Sequence, residues 1–135
     1  MRVLVVDDAA DLRELMAISL RLAGAAVTMA ASGADALDVL RSPGASSAFD
    51  VVVIDVQMPD VDGWDVLAAV RALGPSAPRA VVCSVKSSDV DRDRATSSGA
   101  AAYVTKPFDV SRTVELILDV AQGASGVEHP GGRAS

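Results

Sequence analysis

Five short runs of β-branched and other apolar residues recur along the chain at nearly regular intervals, and each has the length of a strand. Continuous apolar runs of this length are typical of strands that are covered on both faces of a sheet. They predict strands at Arg2–Val6, Ala26–Ala30, Asp50–Ile54, Ala80–Ser84 and Ala101–Thr105.

The segments between these runs place apolar residues three or four positions apart, which is the spacing of an amphipathic helix. The predicted inward faces are Leu12, Leu15, Met16, Ser19 and Leu22 in the first helix, Ala36, Leu37 and Leu40 in the second, Val66, Leu67, Val70 and Leu73 in the third, and Val114, Ile117, Leu118 and Ala121 in the fifth. The fourth helix, Asp89–Ser98, has only Val90 and Ala95 as inward candidates. That pattern predicts a weakly anchored and mobile element.

Three residues mark predicted helix ends. Asp8 is a candidate N-cap for the first helix, because its carboxylate could accept hydrogen bonds from unpaired backbone N–H groups. Gly24 and Gly99 stand where a glycine would close the first and fourth helices in a left-handed conformation.

The regular alternation of strands and helices predicts an α/β fold, a doubly wound parallel sheet with helices on both faces. Ligands of such sheets bind at the carboxyl ends of the strands. We assign residues 1–122 to this single domain. Residues 123–135 are rich in Gly, Ser and Pro without periodicity, and are interpreted as a flexible tail or linker stub.

The composition argues against several classes of function. The 135 residues are 50% hydrophobic but only 3% aromatic, and the net charge of -6 argues against direct binding to nucleic acid or to an anionic membrane. A single cysteine, Cys83, excludes an internal disulfide framework and a cysteine-based zinc site. The N-terminal apolar run is too short for a signal peptide or a membrane span, so we expect a cytoplasmic protein.

Polar or charged residues stand at the carboxyl ends of four of the five predicted strands. Asp7 and Asp8 follow the first strand, Asp55 the third, Ser84 ends the fourth, and Lys106 follows the fifth. If the first and third strands are neighbours, three carboxylates converge, and their mutual repulsion calls for a proton or a bound cation.

Oxygen ligands without a nearby His or Cys favour Mg²⁺, with Mn²⁺ and Ca²⁺ as alternatives, over zinc. Few protein ligands and retained water fit Mg²⁺, which is usually completed by phosphate oxygens. A cation together with Lys106 and Ser84 would clamp a phosphoryl group, and Asp55 could accept it as an aspartyl phosphate.

Each of these residues, taken singly, is more often structural. Paired aspartates usually cap a helix, a serine at a strand end is common, and a lone lysine is usually a solvated surface residue. Asp60 and Asp62 are interpreted as turn residues ahead of a helix. The functional hypothesis depends on the joint placement of five suitable side chains at one predicted sheet edge.

From Arg2 to about Gln122 the sequence resembles the receiver domain of two-component response regulators, of the stand-alone chemotaxis-regulator type. The motifs that carry the resemblance are "VLVVDD", "DVQMPDVDGWDVL", "VVCSV" and "SGAAAYVTKPF". The resemblance implies a flavodoxin-like fold with five parallel strands in the order 2-1-3-4-5 and five helices.

It also implies roles for single residues. Asp55 would be phosphorylated, and Mg²⁺ would be bound by Asp8, Asp55 and the backbone carbonyl of Gln57, with Asp7 acting through a water molecule. Ser84 and Lys106 would contact the phosphoryl oxygens, Tyr103 would be the switch aromatic coupled to Ser84, and the Lys106–Pro107 bond would be cis. Gln57 and Lys86 would tune the lifetime of the phosphorylated state.

The resemblance implies a phosphorylation-dependent switch rather than a conventional enzyme. Its partners would be a histidine kinase or phosphotransfer protein and a downstream protein target, which binds the face made by helix 4, strand 5 and helix 5. We expect a stand-alone domain, although a longer chain with an output domain is also compatible with the sequence.

Three other hypotheses remain. A receiver-like interaction module could work without phosphorylation. A hydrolase of the haloacid-dehalogenase type would need its nucleophile after the first strand, with a second Asp two residues later. Here Asp55 is on the third strand, and the residue two positions after it is Gln57. A flavodoxin-like cofactor binder would need a phosphate-binding loop in place of Asp7-Asp8.

Overall fold

The computed structural model describes residues 1–56, 58, 62–84, 89–105 and 109–123 of the chain. They form one parallel sheet with the strand order β2-β1-β3-β4-β5. The strands are β1 (Arg2–Val6), β2 (Ala26–Ala30), β3 (Val51–Asp55), β4 (Arg79–Ser84) and β5 (Ala102–Thr105). The predicted fold class and strand order are confirmed, and each strand begins within one residue of its prediction.

The helices are α1 (Ala10–Leu22), α2 (Gly33–Leu40), α3 (Ala45–Ala48), α4 (Gly63–Arg71), α5 (Asp89–Ser97) and α6 (Val110–Ala121). The five predicted helices correspond to α1, α2, α4, α5 and α6. The additional α3 is a single turn that follows Gly44 in a left-handed conformation (φ +81°). Three longer helices begin with a side-chain cap, in which Ser32, Asp62 and Asp109 each accept a hydrogen bond from a backbone N–H of the first turn.

Alternate residues of the central strands enter two separate cores. Val3 and Val5 of β1 pack with α1 and α6 on one face, whereas Leu4 and Val6 pack with α2 and α4 on the other. The side chains of β3 are buried along its whole length. This two-sided burial explains why the central strands appear in the sequence as continuous apolar runs.

The inward face predicted for α1 is wrong in part. Met16, Ala17 and Leu20 are the buried residues of this helix, whereas Leu15 and Leu22 are 47% and 85% exposed. Apolar residues lie on both sides of α1, so their spacing alone did not distinguish the buried side of the helix from the exposed side.

Two further predictions about helices need correction. Asp8 is not the N-cap of α1, because the helix begins at Ala10 with Ala9 in the cap position and without a capping side chain. Val90 is 76% exposed, since the side of α5 turned towards the domain carries Ala95. Gly24 and Gly99 do follow their helices with φ of +97° and +92°, as predicted.

Candidate functional site

The acidic cluster lies at the carboxyl edge of the sheet because β1 and β3 are neighbours. Val6 is paired with Ile54, so the next residues along the two strands, Asp7 and Asp55, stand side by side. One carboxylate oxygen from each of Asp7, Asp8 and Asp55 lies within 4.8 Å of the other two. The predicted convergence of three carboxylates is therefore confirmed.

The three acids differ in exposure. Asp7 and Asp55 are only 6% and 4% exposed, whereas Asp8 is exposed to solvent. The Asp7 carboxylate accepts a hydrogen bond from the backbone N–H of Ala9 at 2.9 Å, which holds it at the start of α1. The cluster thus has two buried carboxylates and one at its mouth, open to a ligand from solution.

Like charges at this distance destabilise the site unless a cation is present. Two unit charges about 4 Å apart near a protein surface repel each other by roughly 4 kcal/mol. The donors are all carboxylate oxygens, which suit a hard divalent cation. The residues present therefore fit a divalent metal ion, held by the cluster Asp7, Asp8 and Asp55.

Ser84 lies beside the cluster on the next strand. In the β3–β4 pairing Asp55 stands opposite Cys83, so Ser84 is one residue further along at the same edge. Its side chain is buried and hydrogen-bonded to the hydroxyl of Tyr103 on β5. Ser84 is also paired with Thr105, the last residue of β5 and the one that precedes Lys106.

Tyr103 is turned into the domain and is 7% exposed. Burial raises the pKa of its phenol above the ordinary value of 10.0, while the hydrogen bond to Ser84 acts in the opposite direction. The phenol is therefore neutral at physiological pH and can donate a hydrogen bond. Tyr103 and Ser84 are thus in contact, and the switch role expected for Tyr103 stays a prediction.

Two features of the site were missed in the sequence. An added Cβ at Gly63, the first residue of α4, would overlap the carbonyl oxygen of Asp55 and the Cα of Val56. The guanidinium of Arg13 donates a hydrogen bond to the carbonyl oxygen of Asp7 at 2.9 Å. The glycine eight residues after Asp55 was the sequence signal for the close approach of α4 to β3. The hydrogen bond from Arg13 is revealed only by the orientation of α1.

Several predicted residues lie outside the part of the chain that the structure describes. These are Gln57, Asp60, Lys86, Lys106, Pro107 and residues 124–135. Their predicted roles remain predictions. Asp62 is described, and it caps α4 by accepting a hydrogen bond from the N–H of Asp65 at 3.1 Å, in keeping with its interpretation as a turn residue.

Comparison with protein families decides what this arrangement belongs to. The model of the response regulator receiver domain matches residues 3–118. The chain belongs to the response regulator receiver domain family. It is therefore a receiver domain of the kind that serves phosphorylation-dependent signalling in two-component systems.

Known relatives agree with this assignment. The receiver domain is 40% identical over 116 residues to the transcriptional regulatory protein PrrA of Mycobacterium tuberculosis, covering 86% of this chain and 48% of that protein. It is 33% identical over 133 residues to the transcriptional regulatory protein TrcR of the same organism, covering 98% of this chain and 50% of that protein. The chain thus spans about half the length of the curated relatives it matches.

Among solved structures, the receiver domain of the Francisella response regulator 1452 superposes with a TM-score of 0.80 at 26% sequence identity. The match covers 90% of this chain and 96% of that one. In the part of the chain that the structure describes, no helix of this receiver domain is long and apolar enough to cross a membrane.

Proposed function

We propose that this receiver domain is a phosphorylation switch in which Asp55 accepts a phosphoryl group from a histidine kinase or a phosphotransfer protein. The observation that carries the proposal is the position of Asp55, a buried carboxylate between the acidic pair Asp7-Asp8 and the hydroxyl-bearing end of β4. A buried carboxylate that faces two other acids is costly as a purely structural choice. It is favourable when the site must hold a cation and a phosphoryl group together.

In the transfer step a carboxylate oxygen of Asp55 attacks the phosphorus of the donor phosphohistidine. The new P–O bond forms as the P–N bond breaks, and the leaving imidazole nitrogen keeps the electron pair and takes up a proton. Asp8, Asp55 and the Gln57 carbonyl would hold Mg²⁺, or Mn²⁺ in its place, with Asp7 acting through water. Bound there, the cation neutralises charge on the phosphoryl oxygens. The domain assists its own phosphorylation and dephosphorylation and is not a conventional enzyme.

The phosphoryl group on Asp55 would then draw Ser84 and Lys106 towards its oxygens. Ser84 is hydrogen-bonded to Tyr103 of β5, and α5 packs on β5. A shift of the Ser84 hydroxyl would therefore change the contacts of both elements. We propose that the face formed by α5, β5 and α6 carries this change to a downstream protein partner. Gln57 and Lys86 would set how quickly water removes the phosphoryl group.

The partners follow from charge and from the relatives. A net charge of -6 favours contact with proteins over direct contact with nucleic acid. The named relatives are transcriptional regulatory proteins, so control of transcription through a further domain or a partner protein is the output that we propose. We propose that this cycle takes place in the cytoplasm.

Phosphorylation should alter backbone protection at the proposed output face. With acetyl phosphate and Mg²⁺, we expect amide hydrogen exchange in α5 and β5 to change by about tenfold, because a local rearrangement of about 1.4 kcal/mol has that effect. Hydrogen–deuterium exchange with mass spectrometry measures it, and β2 serves as the internal control. An equal change in Asp55→Ala would contradict the switch.

The exposed side of α1 supplies a docking surface for the phosphodonor. Leu15, Ile18 and Leu22 lie on one side of this helix and are 47%, 54% and 85% exposed. The helix begins two residues after Asp8, so an apolar helix of the donor packed along α1 would bring its phosphohistidine close to the acidic cluster. We propose that this stripe, Leu15-Ile18-Leu22, binds the donor.

Ile18→Asp should separate donor docking from chemistry. We expect phosphoryl transfer from a histidine kinase that phosphorylates the wild-type domain to slow by about tenfold or more, as for a buried interface residue. The rate with acetyl phosphate should stay the same, because that small donor needs no docking surface. Ala68→Asp, an exposed position on α4, is the matched control. Equal slowing with both donors would show that the stripe is not a docking surface.

A further inference from the structure

The helix α5 contacts the domain through arginine side chains as well as through apolar packing. Among the α5 side chains that the structure describes, Ala95 alone is buried. The guanidinium of Arg92 lies over the ring of Tyr103, 5.2 Å from its centroid, and that of Arg94 lies over Trp64 at 4.3 Å. Both distances are in the range of a cation–π interaction.

Arg92 contacts the strand at two points. Besides covering the Tyr103 ring, it donates a hydrogen bond to the Thr105 hydroxyl with a donor–acceptor distance of 3.4 Å. These two residues point to the same side of β5 because they are two positions apart. The guanidinium therefore spans the part of β5 that lies beside Ser84.

From Arg92 a continuous set of contacts leads to the proposed phosphorylation site. Arg92 covers the ring of Tyr103, the hydroxyl of Tyr103 is hydrogen-bonded to Ser84, and Ser84 lies one residue beyond the position paired with Asp55. Arg94 makes the same kind of contact with Trp64 but touches neither Tyr103 nor Ser84 in any contact that the structure resolves. The two arginines thus offer a matched pair on one helix.

We infer that Arg92 is a positioning residue, which holds the Tyr103 ring in the domain against Ser84 and so couples the position of α5 to the site. The placement of the ring is independent of phosphorylation, and only the effect on phosphorylation rests on the function proposed above. When the guanidinium leaves the ring, the ring loses its outer cover and its attraction to α5. Tyr103 then turns towards solvent and its contact with Ser84 is lost.

The ionisation of Tyr103 distinguishes positioning from a simple charge effect. The groups that act on this phenol are Ser84, Asp91, Arg92 and Cys83, together with burial, and burial is the largest of these influences. The positive charge of Arg92 by itself lowers the pKa of Tyr103. Removing the charge alone would therefore raise that pKa further, whereas releasing the ring into water would lower it towards 10.0.

The test is a tyrosinate titration followed by absorbance in wild type, Arg92→Ala, Arg92→Lys and Arg94→Ala, with circular dichroism to verify folding at each pH. Tyr103 is the only tyrosine, so the signal reports one group. We expect its pKa to fall in Arg92→Ala, to recover partly in Arg92→Lys, and to stay unchanged in Arg94→Ala. A rise or no change in Arg92→Ala would overturn the proposal.

A second measurement avoids alkaline pH, in case the variant unfolds there. A soluble paramagnetic chelate broadens NMR signals of exposed rings, and at neutral pH we expect it to broaden the Tyr103 ring signals more in Arg92→Ala than in Arg94→Ala. Equal broadening in both variants would refute the positioning role.

The functional consequence is measured with acetyl phosphate and Mg²⁺. We expect Arg92→Ala to need about two- to fivefold more acetyl phosphate for half-phosphorylation than wild type or Arg94→Ala, as loss of one cation–π contact implies. An unchanged requirement would contradict the coupling. If wild type itself is never phosphorylated, the proposed function fails, while the tyrosine measurements still decide the role of Arg92.

Discussion

Gly63→Ala will destabilise the domain by about 3 kcal/mol or more, as expected when overpacking meets backbone atoms that cannot move aside. The new Cβ would overlap the Asp55 carbonyl oxygen and the Val56 Cα. Because α4 must then move away from β3, the site around Asp55 should be distorted as well. Urea unfolding followed by circular dichroism measures the loss in the free energy of unfolding.

Gly44→Ala is the matched control for this substitution. Gly44 has a positive φ of +81°, but an added Cβ there would meet no atom within 4 Å. Its alanine variant should lose only the backbone cost, about 1 kcal/mol. Equal losses in the two variants would show that contact between α4 and the Asp55 backbone does not constrain the fold.

Asp55→Asn will stabilise the metal-free domain by about 1–3 kcal/mol, a part of the repulsion of roughly 4 kcal/mol that one pair of close charges produces near a surface. The substitution removes one of three carboxylates whose oxygens lie within 4.8 Å of one another. Unfolding in urea with a chelator present measures this gain. Asp11→Asn, in the first turn of α1 and outside the cluster, should change stability by less than about 0.5 kcal/mol.

The same variants test the metal site. A cation that binds only the folded state raises the melting temperature with its concentration. We expect Mg²⁺ and Mn²⁺ to stabilise the wild type and Asp11→Asn, and to have little effect on Asp55→Asn. A wild type that does not respond to either cation, together with a destabilised Asp55→Asn, would argue against a metal-binding cluster.

The sheet could be predicted because burial on both faces produces apolar runs such as Val3–Val6 and Val51–Ile54, which have few other structural interpretations. The orientation of the helices was harder to predict. The exposed residues Leu15 and Leu22 are as apolar as the buried Met16 and Leu20, so the periodicity of α1 fits two faces. A surface that binds a partner resembles a core in sequence, because both consist of apolar side chains.

The acids of the site were predictable because neighbouring parallel strands bring their carboxyl ends to one edge, which placed Asp7 and Asp55 together. The start of α1 was predicted wrongly, because Ala9 rather than Asp8 is in the cap position and the helix has no capping side chain. The contacts of long side chains could not be predicted from the sequence either. The position of Arg92 over Tyr103 depends on how α5 lies on β5, which local sequence does not specify.

The proposed switch requires that Asp55 accepts the phosphoryl group and that the acidic cluster binds the metal ion on which the transfer depends. Intact mass spectrometry after incubation with acetyl phosphate tests it most directly, using wild type with Mg²⁺, wild type with a chelator, and Asp55→Ala with Mg²⁺. We predict a mass gain of one phosphoryl group in the first sample only. No gain in the first sample, or an equal gain in Asp55→Ala, would contradict the account and favour a receiver-like module that works without phosphorylation of Asp55.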